Sequence, residues 1–186
     1  MTASVVEITI SNRITGTSLI VPYSHEGGLQ RYATPTSKAG QPVIYRISKY
    51  QVRVAGGGTY HAVRFGLQNK GTIAPSRRSD AGLSAARVCF PQWVTGYSPH
   101  SFRGGPFAGA WRLLAGRGFL IHEGADSRAG GVGGSLGCVE ILDGGWQAFQ
   151  NELRSLSGAD WPVMGAKNLL KVTIEAASYP TATLAS

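Results

Sequence analysis

Cysteine is nearly absent: Cys89 and Cys138 are the two thiols in 186 residues, and no CxxC pair occurs. One bridge at most can form, which excludes a disulfide scaffold of the small secreted kind. Histidine is sparse as well. His25, His61, His100 and His122 are scattered with no i,i+4 pair, so the ligand spacing of a zinc hydrolase is missing. Neither a metal nor a cofactor is expected.

No apolar run approaches the ~20 residues a membrane-spanning helix requires, and a membrane is not expected among the partners. Met1 leads through Thr-Ala-Ser into strand-like alternation, with no basic segment feeding an apolar one, so no secretory signal is read. Acidic residues are few. Ten Asp and Glu face 18 Lys and Arg for a net charge of +8, and the excess is uneven, +11 over residues 1–119 and −3 over 120–186. Such a field favours acidic partners, whether nucleic acid, anionic membrane or anionic wall polymer, without choosing among them. Nucleic acid is the weaker choice, because no zinc-ligand pair, basic recognition helix or aromatic–basic RNA-binding strand accompanies the 13 arginines.

The runs SVVEITISN, TSLIVPY, PVIYRISKYQVRVAG and TYHAVRFGL are β-branched and aromatic and bounded by Gly, Pro or Asn, which predicts antiparallel strands through the first half. From Gly66 to Gly109, Gly, Pro and Ser recur every few residues. That stretch predicts long loops with one short strand around Val88–Phe90, and Trp93, Tyr97 and Phe102 within it are candidates for a groove wall. AWRLLAGRGFLIHEG and GCVEILD supply two core strands. Trp146, Phe149, Leu153 and Leu156 then follow at helical spacing, an amphipathic stripe closed by Gly158 and the one helix expected. NLLKVTIEAA is read as the final strand. No repeat, heptad pattern or low-complexity tract interrupts this, and residues 1–186 read as one mainly β domain.

The segment IHEGADSRAGGVGGSLGCVEI concentrates the chemistry. His122 ends one apolar strand, Cys138 begins another, and six glycines lie between them. A cysteine acyl-transfer site needs a nucleophilic thiol, a base within hydrogen-bond reach and N–H donors aimed at the developing oxyanion. Neighbouring strands would bring the His and Cys side chains together. Gly137 would let the backbone turn before Cys138 and present N–H groups, Ser135 would hydrogen-bond within the same turn, and the imidazole would favour the thiolate. Every histidine precedes Cys138, which excludes a papain-like Cys-then-His order for that thiol. ARVCFPQW reads as an apolar strand, so Cys89 is read as structural.

His122, a dozen intervening residues, then Ser135-x-Gly137-Cys138 and an apolar residue resemble the signature of the L,D-transpeptidase (YkuD-like) catalytic domain. The family pattern is His, a variable loop, then Ser/Thr-His-Gly-Cys, an apolar residue and commonly Arg or Asn. Leu136 stands where the motif has His, and Glu140 where it has Arg or Asn. The divergent Ser-x-Gly-Cys form resembles the branch that includes antibacterial toxins delivered by a type VI secretion system. The resemblance rests on residues 118–142.

The fold this implies is an L,D-transpeptidase-like β-sandwich. The implied activity is acyl transfer on peptidoglycan stem peptides, with Cys138 as nucleophile, His122 as base, Ser135 in the motif, and the Gly137 and Cys138 N–H groups as the oxyanion site. Transpeptidation, carboxypeptidase action and D-amino-acid exchange are all open. Arg112, Arg117 and Arg128 are candidates to meet a stem carboxylate by bidentate pairing. The toxin branch further implies synthesis in the cytoplasm, export to the periplasm of a target bacterium, secretion-system components as partners and an immunity protein. Two alternatives differ in class: a basic nucleic-acid-binding module, which a salt-sensitive mobility shift would reveal, and a wall-binding domain of the same fold without turnover.

Overall fold

The computed structural model describes residues 3–22, 24–26, 29–31, 43–67, 76–79, 81–97, 108–116, 118–126 and 132–185. The first strands are β1 (Val6–Ile10), β2 (Gly16–Ile20), β3 (Ser24–Glu26), β4 (Leu29–Arg31), β5 (Tyr45–Val54), β6 (Thr59–Val63) and β7 (Phe65–Gly66). Next come β8 (Ser76–Arg78), β9 (Ala81–Gly82), β10 (Arg87–Cys89), β11 (Gln92–Thr95), β12 (Gly109–Arg112), β13 (Leu120–Glu123) and β14 (Val139–Ile141). Helices α1 (Gly145–Ser157) and α2 (Trp161–Ala166) precede β15 (Leu170–Ile174) and β16 (Thr181–Leu184). The described chain is mainly β, as the alternating runs predict. None of its helices is long and apolar enough to cross a membrane.

The main sheet runs β10-β15-β1-β5-β6-β14-β13-β12-β11. Its two ends are consecutive in sequence, with only Phe90 and Pro91 between Cys89 and Gln92. A connection that short spans about 10 Å, so the sheet must curl until its edges come close. Inside the curl lie Val6, Ile8 and Ile10 of β1, alternate residues of β13, β14 and β15, and the Trp146, Phe149 and Leu153 stripe of α1. A second core of Ile20, Tyr45, Ile47, Phe65 and Leu142 covers the opposite face. β5 serves both cores. Its first half pairs with β2 and β16 and buries Tyr45 and Ile47, whereas its second half pairs with β1 and β6 and buries Val52 and Val54 in the curl.

Arg64, between β6 and β7, is 1% exposed. Its guanidinium donates to the carbonyls of Ser11, Leu83 and Glu175 at 2.9, 2.7 and 2.9 Å and lies over the rings of Phe65 and Tyr50. Its five N–H donors let one side chain tie three separate segments together. Arg64→Met should therefore lose about 3 kcal/mol, because each carbonyl left without a donor costs about 1 kcal/mol or more. Urea unfolding would show this as a lower midpoint at unchanged slope.

Several expectations need correction. The stretch from Gly66 to Gly109 holds β8, β9 and β11 as well as the predicted short strand, found at Arg87–Cys89. Strands of two to four residues are too short to carry an alternation signal. The helix after the Cys strand forms where predicted, but its buried face ends on Ser157, while Leu156 is 38% exposed. α2 makes a second helix, announced by Asp160 at the N-cap and Pro162 in the first turn. β16, not β15, is the last strand, and only Ala182 of its four residues is buried. Trp93 is no groove wall. It lies on β11 between Trp111 and Trp161, at ring separations of 5.1 and 5.4 Å.

Candidate functional site

β13 and β14 are adjacent and parallel, with Ile121 opposite Val139 and His122 opposite Glu140. Side chains alternate along a strand, so Ile121, Val139 and Ile141 enter the inner core while Leu120, His122, Cys138 and Glu140 share the other face. The glycine-rich connection makes this possible by folding back. It is pinned by an isolated bridge from Gly133 to Ile20 and by Gly124 N–H donating to the Ile141 carbonyl at 2.8 Å. The two ends of the segment thus lie on adjacent strands with His122 and Cys138 on one face, His122 opposite Glu140 and Cys138 two residues before Glu140.

Cys138 is 8% exposed and packs with Ala110, Leu120 and Tyr97. Its Sγ donates to the Gly118 carbonyl at 3.5 Å. His122, 2% exposed, lies with its ring 5.8 Å from that of Tyr97. Tyr97 thus touches both halves of the site. The His122 Nδ1 is 2.6 Å from the Glu123 carbonyl oxygen. A carbonyl only accepts, so Nδ1 carries a hydrogen and any base function falls to Nε2.

The turn before Cys138 is held by Ser135. Its Oγ donates to the Cys138 carbonyl at 3.0 Å and accepts from the Gly137 N–H at 2.9 Å. Gly137 has φ +100°, a conformation costly to any residue with a Cβ. The Gly137 N–H is therefore engaged within the turn, which corrects its reading as an oxyanion donor. Underneath lies the two-stranded ribbon of β7 and β9, where Phe65 pairs with Gly82 and Gly66 with Ala81. A Cβ on Gly66 would overlap the Ser135 carbonyl, and one on Gly137 would overlap the backbone of Gly82. Sequence reasoning missed Gly66 and Gly82 as supports because the ribbon strands have two residues each.

The thiol also departs from expectation. Burial pushes Cys138 up from 9.0 to about 11, the Leu120 N–H opposes that shift, and the nearby Glu140 charge adds to it. Desolvation outweighs the stabilisation of thiolate that the His-beside-Cys pattern suggests, so Cys138 rests as a neutral thiol. Alkylation of Cys138 by iodoacetamide should accordingly rise about tenfold per pH unit between neutrality and pH 10, as the thiolate fraction does. Peptide mass spectrometry would read it. A plateau reached below pH 8 would instead reveal a preformed thiolate–imidazolium pair.

Arg112, predicted to meet a carboxylate, is exposed on β12 opposite Leu120, on the site face and one strand removed from Cys138. Two strand spacings of about 4.8 Å place its backbone about 10 Å from that of Cys138. Arg117, Arg128, Phe102 and His100 lie outside the described residues, as does the side chain of His25. His61 is exposed on β6, its ring nitrogen 3.2 Å from the Thr15 hydroxyl. Cys89 is a free, half-buried thiol on β10, packed against the inner core in keeping with its structural reading. Among the described residues no three His, Cys, Asp or Glu side chains gather as metal ligands would. In comparisons with protein-family models, curated proteins and solved structures, the chain matches none.

Proposed function

We propose that the chain is a cysteine acyltransferase acting on peptidoglycan stem peptides, with an L,D-transpeptidase-like β-sandwich as its fold. One observation carries this reading: His122 and Cys138 occupy one face of two adjacent parallel strands, with the Ser135 turn setting the thiol. A thiol kept only as a core residue needs neither an adjacent imidazole nor a strained glycine before it. The Ser-x-Gly-Cys spacing supplies the substrate class.

In this mechanism the Cys138 proton passes to His122 Nε2 as the sulfur attacks the carbonyl of the third stem residue. The tetrahedral intermediate collapses by breaking the bond to the terminal D-alanine, whose amine leaves with the proton from His122. A thioester on Cys138 remains. Its acyl group passes to a stem amine, to water or to a free D-amino acid, each activated by the same imidazole, and the thiol is restored. The Cys138 N–H is the oxyanion donor in this scheme, and Arg112 is the candidate to hold a stem carboxylate beside the nucleophile. The Ser-x-Gly-Cys form, with Leu136 where the family motif has histidine, resembles the toxin branch of the family, so export to a target periplasm, secretion-system components and an immunity partner belong to the same proposal.

Purified tetrapeptide muropeptides incubated with wild type and with Cys138→Ala, with and without a D-amino acid, test it by mass spectrometry. Loss of terminal D-alanine, exchange or cross-linking by the wild type alone is the expected result. Identical spectra from folded, reduced protein and from the variant would remove the enzymatic reading. For the toxin assignment, expression directed to the periplasm should harm a host far more than cytoplasmic expression.

A further inference from the structure

Glu140 has no role in the mechanism above, yet it is 0% exposed in the middle of the sheet. A carboxylate so far from water costs several kcal/mol unless charge and hydrogen bonds compensate. Packing alone does not explain it, since the inner-face residues of the same strand, Val139 and Ile141, are apolar. Room has been left for it on two sides. A Cβ on Gly124 would come within 2.7 Å of the Glu140 Cβ, and one on Gly133 within 3.0 Å of its Oε2.

Register sets what stands beside the carboxylate on the neighbouring strands. Glu140 is directly opposite His122, about 4.8 Å away between strands, with both side chains on one face. On its other side Glu140 pairs with Val63, and the next residue, Arg64, is spent on three carbonyls. Arg112 is on the same face but lies beyond β13. Tyr97 and Cys138 lie on this face beside His122, and Tyr45 and Tyr50 belong to the second core that covers it; none of the four is a cation. His122 itself is held through Nδ1 by the Glu123 carbonyl, which fixes the ring.

We propose that Glu140 is the charge partner of His122, a positioning residue whose carboxylate stabilises the imidazolium formed when the Cys138 proton moves. It rests on the acyl-transfer reading for its catalytic meaning, but the charge coupling itself is measurable without substrate. Its second consequence follows from sign: a negative charge beside Cys138 opposes the resting thiolate, in keeping with the neutral thiol. The pair thus selects concerted proton transfer over a standing ion pair.

The test follows the His122 imidazole by NMR against pH, its signal assigned with His122→Ala, in wild type, Glu140→Gln and Glu140→Asp. Glu140→Gln should weaken proton binding at His122 at least tenfold, about one pH unit in midpoint, while Glu140→Asp keeps most of the coupling. Cys138 alkylation at fixed pH should rise, not fall, in Glu140→Gln. An unchanged His122 midpoint overturns the proposal. Should Glu140→Gln not fold, the wild type decides: a midpoint below the ordinary value of about 6.5 overturns it, and one above supports it. Coupling in a protein that leaves stem peptides intact would sustain the pair and remove the substrate, whereas stem turnover without coupling would do the reverse.

Discussion

His122→Ala should lower the rate of D-alanine release from tetrapeptide stems by about 100- to 10,000-fold near neutral pH, the range a lost general base commands. The deficit should then narrow as pH rises. The reason is the thiol, which burial holds near 11. At pH 7 only about one thiol in 10,000 is ionised, so without a base to take the proton during attack almost no nucleophile exists. Each added pH unit supplies about tenfold more thiolate with no help from the imidazole. A preformed ion pair would show itself in the wild type, as Cys138 alkylation that levels off below about pH 8, because His122→Ala leaves a plain thiol in either case. Measuring kcat/KM from about pH 6 to pH 9.5 for both proteins tests the general-base role, and a ratio that stays constant across that range would refute it. Alkali also weakens the fold. A thiol raised above its unfolded value contributes stability fully present below about pH 9 and lost as pH climbs through about 11, so the comparison must stop before that loss.

The part of this site legible in the sequence was the part governed by local spacing. His122 and Cys138 each abut an apolar run, and strands β13 and β14 formed from those runs. The stripe of Trp146, Phe149 and Leu153 likewise became α1. Tertiary properties were not legible. The raised thiol depends on the packing of Ala110, Leu120 and Tyr97 around Cys138, three residues from separate segments. Capture of the Gly137 N–H by Ser135 is a choice between two donors and one hydroxyl that the motif leaves open. Glu140 stood out only as a departure from a pattern, and its place opposite His122 required the strand register. β7 and β9, with two residues each, and α2, with six, carry too few residues for periodicity to register, and Asp160 and Pro162 at the start of α2 were the available signal that went unread.

β7 and β9 matter most for the second large effect, the response to a single methyl group under the Ser135 turn. Gly66→Ala puts a Cβ into the Ser135 carbonyl and within 2.8 Å of the Gly137 nitrogen, all of them backbone atoms with no rotamer to yield. Gly137→Ala meets the same wall from above, within 2.6 Å of the Gly82 Cα, and adds the strain of φ +100°. Overpacking costs about 1–3 kcal/mol where side chains can give way and more where they cannot, and a positive φ adds about 1–2 kcal/mol. Each substitution should thus lose about 4 kcal/mol, which for a domain of this size lowers the melting temperature by roughly 8–16 °C. Gly56→Ala is the control. Its φ of +74° carries the strain, but nothing lies within 4 Å of the added Cβ, so it should melt only a few degrees below wild type. Gly66 is remote in sequence from both His122 and Cys138, and its replacement changes no reactive group. If Gly66→Ala melts with the control instead of well below it, the ribbon does not brace the turn. If it melts as predicted, any surviving folded protein should still be impaired in stem turnover, because the carbonyl it displaces belongs to the residue that sets Cys138.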